Sequence, residues 1–173
     1  MEPMGHMEYT MPDTPYLTLP TPIGWLRVSG DEHGIQKVSF LAVQGEPPAG
    51  AGDPAPPCLA EAASQLLAYF QGRLLTFTLP LALIGTSFQC LVWQETRQIP
   101  YGHTVSYQWL AKRLGKPGAS RAVGQALHRN PLAILVPCHR VVGVAGRLTG
   151  YAGGLARKRF LLKHENRCAP RQR

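Results

Sequence analysis

A cysteine with ionisable neighbours lies in the C-terminal half of the chain, in the segment Pro137-Cys138-His139-Arg140. The thiolate of a cysteine is the nucleophile, and nearby positive charge or an imidazole base increases the thiolate fraction at neutral pH. Pro137 fixes the backbone after an apolar, strand-like run over residues 134 to 136. These neighbours predict that Cys138 is a reactive nucleophile in an electropositive setting.

Two other interpretations of Cys138 remain open at the level of residue types. A single cysteine in an apolar run can be a small buried hydrophobic residue. Cys138 and His139 could also bind a metal, but no further Cys or His lies at the offsets of a zinc site, so we expect no metal. The remaining cysteines have no histidine beside them and are assigned no role: Cys58, Cys90 and Cys168.

The positive charge of the chain belongs to its C-terminal part. Residues 1 to 100 contain four Lys or Arg and nine Asp or Glu, whereas residues 101 to 173 contain 14 basic residues and one acidic residue, Glu165. A strongly basic segment attracts a polyanion, because neutralised phosphates release their counterions. A basic surface that is only solvated is the alternative.

Length and composition exclude several classes of protein. With 173 residues, 45% of them hydrophobic, the chain can bury the core of one ordinary domain or two small ones. No apolar run approaches the ~20 residues of a membrane helix, and residues 1 to 15 lack the Lys or Arg of a secretory signal. The cysteines show no CxxC spacing, which favours a reducing, intracellular location without a disulfide framework.

The N-terminal part has the pattern of a small α/β domain over residues 1 to 80. Proline and glycine bound three short apolar runs, which predict two hairpins of an antiparallel sheet: residues 16 to 19, 25 to 28 and 35 to 41. Residues 1 to 14 are expected to be a loose tail, and the proline-rich residues 43 to 57 a surface loop.

A helix and a further strand are predicted to complete this domain. Residues 74 to 79 are the predicted strand, and Gly72 ends the helix before it. The helix is expected to cover the sheet with apolar residues at helical spacing, namely Leu59, Ala63, Leu66, Leu67 and Phe70.

A mostly helical domain is predicted over residues 85 to 173. Thr86 and Gln89 form a capping box at the start of its first helix, and Pro100 follows the helix end. Ser106 is a candidate cap for a second helix over residues 107 to 114.

A Gly/Pro turn leads from that helix to another over residues 119 to 129, which suggests a helix-turn-helix. Its inward face is predicted to hold Ala122, Val123, Ala126 and Leu127. The outward face, suited to a nucleic-acid groove, holds Arg121, Gly124, Gln125 and His128. A purely structural helical hairpin is the alternative.

Eight ordered segments over residues 85 to 165 resemble the O6-alkylguanine-DNA alkyltransferases, also called methylated-DNA–protein-cysteine methyltransferases. The most specific is the active-site signature Pro137-Cys138-His139-Arg140-Val141-Val142. The others are Gly85-Thr86-Ser87-Phe88-Gln89, Ile99-Pro100-Tyr101-Gly102, Thr104-Val105-Ser106-Tyr107, Arg121-Ala122-Val123-Gly124, Asn130-Pro131, Tyr151-Ala152-Gly153-Gly154 and Leu161-Leu162-Lys163-His164-Glu165.

The resemblance implies a catalytic role for four residues. Cys138 would take the alkyl group from guanine O6, with His139 as its base through a water molecule and Glu165 orienting the histidine. Asn130 would tie the recognition helix to the active-site turn. From the residues alone, Glu165 could instead form an ion pair with Lys158 or Arg159 at a helix end.

The resemblance also implies how DNA and the base are held. Arg121 would enter the base stack, while Ser106 and the small residues Ala119, Ala122 and Gly124 would let the helix approach a minor groove. Tyr107, Tyr151, Ala152 and the main chain of Val141 would contact the flipped base. A phosphate-binding Arg121 and a core Tyr107 are the alternatives.

Two departures from the family pattern concern the base pocket and a metal. Ala152 replaces a serine that is common in relatives, which affects pocket size. The N-terminal part has no clear ligand set for the zinc that some relatives bind, so neither a metal nor another cofactor is expected. A branch that binds alkylated DNA without repairing it lacks the cysteine, and Cys138 therefore favours the active branch.

We therefore expect an α+β fold, with a small ribonuclease-H-like N-terminal domain and a winged helix-turn-helix-like C-terminal domain. The expected function is single-turnover DNA repair on double-stranded DNA containing O6-alkylguanine. The chain would act without a membrane, as a monomer with several copies possible per DNA, in the cytoplasm of a bacterium or the nucleus of a eukaryote. A non-catalytic sensor of alkylated DNA and a cysteine hydrolase using Cys138 and His139 are the alternatives.

Overall fold

A three-stranded antiparallel sheet forms the N-terminal part of the molecule. The computed structural model describes residues 14–42 and 56–170, so the predicted tail and proline-rich loop fall almost entirely outside the described residues. The strands follow the order β1-β2-β3, with β1 at Tyr16–Thr21, β2 at Gly24–Asp31 and β3 at Gly34–Phe40. The two predicted hairpins are confirmed.

Glycines make the two tight turns of the sheet possible. Gly24 and Gly34 begin β2 and β3 with φ values of 108° and 136°, a backbone region that side chains with a Cβ rarely adopt. At Gly34 a Cβ would also lie 2.6 Å from the carbonyl oxygen of Pro80. The absence of a side chain at Gly34 therefore lets the backbone of Pro80 lie directly against the start of β3.

Helix α1 (Pro57–Phe70) covers the sheet, as predicted, and begins with proline at its first position. The buried face differs from the prediction, because it includes Tyr69, and Leu67 lies about 200° around the helix from that residue. Leu67 is consequently 42% exposed, so its predicted core position is wrong. The buried residues of α1 are Leu59, Ala62, Gln65, Leu66 and Tyr69.

The strand predicted for residues 74 to 79 is absent from the described structure. The Gln65 side chain accepts a hydrogen bond from the Thr78 backbone N–H (3.0 Å) and donates to its hydroxyl (2.9 Å). A side chain of α1 therefore takes the place of a neighbouring strand at Thr78. Directly after this segment, Leu81 forms an isolated parallel β-bridge with Ile35 of β3.

The C-terminal part is mainly helical, with a short parallel strand pair. Its helices and strands are α2 (Ser87–Thr96), β4 (Val105–Ser106), α3 (Tyr107–Arg113), α4 (Ser120–His128), β5 (Val141–Val142) and α5 (Leu155–Cys168). The Thr86–Gln89 capping box at α2 and the Ser106 cap of α3 are confirmed. Among the described residues, no helix has the length and apolar character needed to cross a membrane.

Helix α4 packs against the core through Val123, Ala126 and Leu127, at positions i, i+3 and i+4. Ala122 was also predicted to face the core, but it is exposed, because it lies about 100° around the helix from Val123. The indole of Trp93 on α2 donates to the carbonyl of Ala126 at 2.9 Å. This bond fixes α4 relative to α2.

Backbone hydrogen bonds join the two parts of the molecule at β3. The Val38 N–H donates to the carbonyl of Pro131 (2.9 Å), and the Ala133 N–H donates to the carbonyl of Val38 (3.1 Å). The segment before Cys138 is therefore held against the sheet. The architecture is α+β, a small sheet domain followed by a mostly helical domain, as expected; the boundaries at residues 80 and 85 stay a prediction.

Candidate active site

Asn130 holds the turn that carries Cys138. Its side-chain oxygen accepts from the Leu132 N–H (2.9 Å), and its amide nitrogen donates to the Val136 carbonyl (3.0 Å) and to the sulfur of Cys138 (3.3 Å). One side chain thus closes both ends of the loop and contacts the thiol. Asn130 and Cys138 are brought together as predicted.

The run before Cys138 is a tight loop and not a strand, so this prediction is wrong. Ile134 has a φ of 71°, which is unfavourable for a β-branched residue, and Val136 N–H donates to the Leu132 carbonyl at 2.9 Å. The apolar side chains are buried here because the loop lies inside the core. Cys138 then begins a single 3-10 turn, Cys138–Arg140.

Cys138 is almost completely buried, with 8% of its surface exposed. Burial raises the pKa of its thiol, and this outweighs the Asn130 amide and the Lys158 charge, which both lower it. The prediction of an increased thiolate fraction in the resting protein is therefore wrong, because desolvation exceeds the positive charge nearby. The thiol of Cys138 is therefore protonated at neutral pH.

His139, the next residue, has a completely buried side chain. Its Nε2 atom lies 2.7 Å from Oε1 of Glu165, so Nε2 carries the proton of the neutral ring and Nδ1 carries the lone pair. Nδ1 is buried and makes no hydrogen bond to any described residue. Burial lowers the pKa of His139 although Glu165 opposes this, so the ring is neutral at pH 7.

Glu165 is surrounded by donors. Its Oε1 accepts from Tyr69 Oη (2.8 Å), His139 Nε2 (2.7 Å) and Arg140 Nη2 (3.0 Å). Its Oε2 accepts from Arg140 Nε (2.9 Å) and the Gly102 N–H (3.1 Å). Burial alone would raise the pKa of this carboxyl, but the contacts with His139 and Arg140 outweigh it and hold the pKa well below its usual range. Glu165 is therefore an anion that fixes the imidazole ring.

Lys158 also lies near the site, as an electrostatic neighbour of Cys138, and was not predicted from the sequence as a site residue. Its Nζ is buried and donates to the carbonyls of Val141 (2.6 Å), Thr149 (3.1 Å) and Gly150 (3.3 Å), which holds the loop after β5. It pairs with neither Glu165 nor another carboxylate among its described partners. The spacing of Lys158 and Glu165, seven residues apart on α5, is the signal that places both on one helix face.

Two cavities reach Cys138. A narrow cavity of about 60 Å³ lies on the α4 side, and its lining consists of Tyr107, Gly124, Leu127, His128, Cys138, Gly150, Tyr151 and Ala152. A wider one of about 250 Å³ separates the site from β3 and is lined by residues that include Phe40, Asn130, Cys138 and Tyr151. Three of the four residues predicted to contact a base, Tyr107, Tyr151 and Ala152, therefore line a cavity together with the thiol, whereas Val141 lines neither cavity.

Polar groups of two predicted base contacts, Tyr107 and Val141, already form hydrogen bonds within the protein. The Tyr107 hydroxyl donates to the Thr149 carbonyl at 3.2 Å, and the Val141 carbonyl accepts from Lys158. The hydroxyl of Tyr151 is buried without a hydrogen bond to any described residue, and burial raises its pKa. Tyr151 is thus the donor in this pocket that has no described partner.

The predicted DNA-binding residues lie on the outer surface around α4. Arg121 and Ala122 are exposed, and Gly124 is half-buried beside the narrow cavity. An open groove of about 530 Å³ runs along this face and is lined by Tyr107, Ser120, Arg121, Gly124, Gln125, His128 and Arg129. Ala119 caps the start of α4 without a side-chain hydrogen bond, whereas the Ser106 hydroxyl accepts from the Trp109 N–H at 3.0 Å. The groove joins basic side chains to the cavity at Cys138.

Comparison with protein-family models gives two adjacent matches. The ribonuclease-like domain of 6-O-methylguanine DNA methyltransferase matches residues 15–83. The DNA binding domain of the same methyltransferase matches residues 87–167. Together the two models account for most of the chain.

Relatives and solved structures agree with these matches. The methylated-DNA–protein-cysteine methyltransferase of Methanosarcina acetivorans is 47% identical over 156 residues, which cover 88% of this chain and 99% of the relative. The enzyme of that name from Mycobacterium tuberculosis is 46% identical over 155 residues, covering 90% and 94%.

The crystal structure of Mycobacterium tuberculosis OGT in complex with DNA superimposes with a TM-score of 0.79 at 45% identity, covering 90% of this chain and 94% of that one. The crystal structure of Mycobacterium tuberculosis O6-methylguanine methyltransferase gives a TM-score of 0.78 at 43% identity, covering 91% and 95%. Sequence and fold thus agree over nearly the whole chain, which belongs to the family of methylated-DNA–protein-cysteine methyltransferases.

Proposed function

We propose that this chain repairs DNA by transferring an alkyl group from the O6 atom of guanine to the sulfur of Cys138. The observation that carries the proposal is the buried arrangement of Cys138, Asn130 and the His139–Glu165 pair beneath a cavity that opens toward α4. Nucleophile, base and orienting carboxylate are the parts that an activated cysteine needs.

The transfer forms one bond and breaks one. The sulfur attacks the alkyl carbon, the S–C bond forms, and the electron pair of the broken C–O6 bond stays with guanine. The thiol proton passes through a water molecule to Nδ1 of His139. Guanine leaves as an anion that takes one proton from water, and the imidazolium returns its proton to water. Glu165 stabilises the imidazolium that forms, because it already accepts from Nε2 at 2.7 Å.

The product explains why each chain acts once. The thioether on Cys138 has no leaving group that water displaces readily, so the sulfur is both catalyst and final acceptor. A hydrolase using Cys138 and His139 would instead release its product and turn over. We therefore propose a stoichiometry of one alkyl group per chain.

DNA is the partner that the basic face supports. Guanine O6 lies inside the stacked duplex, so the base must rotate out to reach Cys138. Helix α4 would lie in the minor groove, with the exposed Arg121 filling the space that the base leaves and the small Ala122 and Gly124 allowing close approach. Binding through backbone and shape makes recognition independent of sequence, and a monomer suffices.

Intact-mass measurement after incubation with a duplex containing one O6-methylguanine tests the proposal. The expected result is the gain of one methyl group per chain, mapped to the Cys138 peptide, with no further product when excess duplex is added. Lesion binding without added mass would assign the chain to the non-catalytic sensors. Continued product formation beyond one equivalent would contradict the single-turnover chemistry.

Replacing Arg121 with alanine should slow repair in duplex DNA by about tenfold or more, because the extruded base loses the side chain that takes its place. Reaction with free O6-benzylguanine should stay near the wild-type rate. Single-turnover rates on both substrates check this. Arg73→Ala is the matched control, since Arg73 is an exposed arginine in the other part of the chain. Equal losses on both substrates would contradict the proposed role of Arg121.

Replacing Gly124 with alanine should leave folding intact but weaken duplex binding by roughly tenfold, because the added methyl separates α4 from the groove floor. Inside the protein the new Cβ would meet only the Tyr107 ring, at 3.7 Å, an ordinary contact. Thermal unfolding and duplex affinity are the measurements. Gly118→Ala, where a Cβ meets no atom within 4 Å, is the control. Unchanged affinity in Gly124→Ala would argue against this docking face.

A further inference from the structure

We propose that Tyr69, a residue of the N-terminal domain, is a positioning residue for alkyl transfer, because its hydroxyl holds the carboxylate that orients His139. The inference rests on the proposed function of Cys138. Helix α1 would then take part in the reaction, although Tyr69 and Glu165 lie 96 residues apart in the sequence.

The hydrogen bond from Tyr69 to Glu165 is short and buried, and it reaches the same carboxylate oxygen that binds His139. Tyr69 Oη lies 2.8 Å from Oε1 of Glu165, the same oxygen that accepts from Nε2 of His139 at 2.7 Å. Tyr69 is fully buried, and Glu165 is 1% exposed. Water therefore cannot replace the phenol as a donor at this oxygen without rearrangement of the core.

The phenol can act only as a donor here. Burial and the neighbouring carboxylate of Glu165 raise the pKa of Tyr69 well above its usual value, so the proton stays on Oη. A carboxylate has no proton to donate in return. The Tyr69 hydroxyl therefore withdraws negative charge from Oε1 and fixes the direction from which His139 binds.

The other charged and titratable groups around the Tyr69–Glu165 pair are unchanged in Tyr69→Phe. Arg140 donates to both oxygens of Glu165, and the Gly102 N–H donates to Oε2. Tyr101 and Tyr151 also interact electrostatically with Glu165, and Lys158 does so with His139. None of them lies on α1, so Tyr69 is the contribution of α1 to this cluster.

A merely structural role for Tyr69 would come from its ring. The ring packs with Phe70, Phe77, Tyr101 and His164 at centroid distances of 5.3 to 5.9 Å. Tyr69→Phe keeps these contacts and removes only the hydroxyl. Tyr101→Phe is the matched control, because the Tyr101 hydroxyl is buried in the same cluster but is not among the donors to Glu165.

The test compares wild type, Tyr69→Phe and Tyr101→Phe over a range of pH. Single-turnover transfer from an O6-methylguanine duplex and from free O6-benzylguanine is measured, together with thermal unfolding. We expect Tyr69→Phe to slow transfer about tenfold on both substrates, because Glu165 no longer fixes the direction of the imidazole ring and this loss exceeds the gain from a more basic His139. The acid limb of the rate profile should move to higher pH, because a more negative Oε1 makes His139 more basic.

A second readout needs no substrate. NMR titration of the His139 ring should give a higher pKa in Tyr69→Phe than in wild type, and the wild-type value in Tyr101→Phe. Unchanged titration and an unchanged acid limb in folded Tyr69→Phe would overturn the inference. If wild type transfers no alkyl group, the proposed function fails, and the titration still decides whether Tyr69 acts on His139.

Discussion

Replacing Cys138 with serine should abolish alkyl transfer, while duplex binding stays within about twofold of wild type. The exchange of one atom removes the polarisable sulfur that attacks a saturated carbon, and the remaining hydroxyl is a far weaker nucleophile. The contact with the Asn130 amide can persist, since a hydroxyl oxygen also accepts from it. Intact mass and fluorescence anisotropy with the same lesion-containing duplex measure the two properties separately.

Cys90→Ser is the control for this experiment, because Cys90 lies within α2 and is assigned no role. It should gain one methyl group as wild type does. Transfer to a different cysteine in Cys138→Ser would contradict the assignment of the acceptor. Loss of both binding and transfer would show that the variant had lost its structure, which thermal unfolding detects.

Replacing Glu165 with glutamine should lower the unfolding free energy by about 3 kcal/mol and slow transfer by at least about 100-fold. The change leaves Arg140 as a buried charge that has lost its counter-ion, and His139 loses the anion that stabilises its protonated form. A loss of this size corresponds to a fall in melting temperature of about 10 °C for a chain of this length. Thermal unfolding and single-turnover kinetics are the measurements.

Glu95→Gln provides a matched control, because it also removes a carboxylate from an arginine. The Arg113–Glu95 pair is 2.7 Å long, but Arg113 is 56% exposed, so its loss should cost at most about 1 kcal/mol. Similar stability changes in the two variants would contradict the burial argument. A small change for Glu95→Gln and a large one for Glu165→Gln are expected.

The stability contribution of Glu165 should also depend on pH in a defined direction. The pKa of its carboxyl is lower in the folded protein than in the unfolded chain, where it is about 4.3. The contribution is therefore complete above that value and declines as the pH falls below it. The difference in unfolding free energy between wild type and Glu165→Gln should shrink on acidification, as urea unfolding at several pH values can measure.

Local sequence signals predicted much of the fold because they act over a few residues. Gly24 and Gly34 mark turns by the backbone they require, and Thr86 with Gln89 forms its capping box within one helical turn. The prediction of a strand at residues 74 to 79 was wrong because the side chain of Gln65, on helix α1, accepts the backbone hydrogen bond of Thr78. Apolar alternation cannot reveal such a side-chain partner.

The candidate site was predictable where a motif names its residues. Cys138, His139, Glu165 and Asn130 were all assigned from segments that resemble the family, and the structure brings them together. The raised pKa of the thiol was missed, because adjacent positive residues indicate charge but not desolvation. Contacts such as that between Tyr69 and Glu165, 96 residues apart, leave no local pattern at all.

Backbone hydrogen bonds to non-strand segments cover the β3 edge of the sheet. Ile35 exchanges hydrogen bonds with Pro80 and Ala82, and Val38 does so with Pro131 and Ala133. An edge strand with free donors and acceptors is a template on which another copy can add as a strand. Here both positions are occupied, so β3 presents no open edge there for intermolecular pairing. Under the proposed chemistry of one alkyl group per chain, each copy lost to aggregates would be a repair event lost.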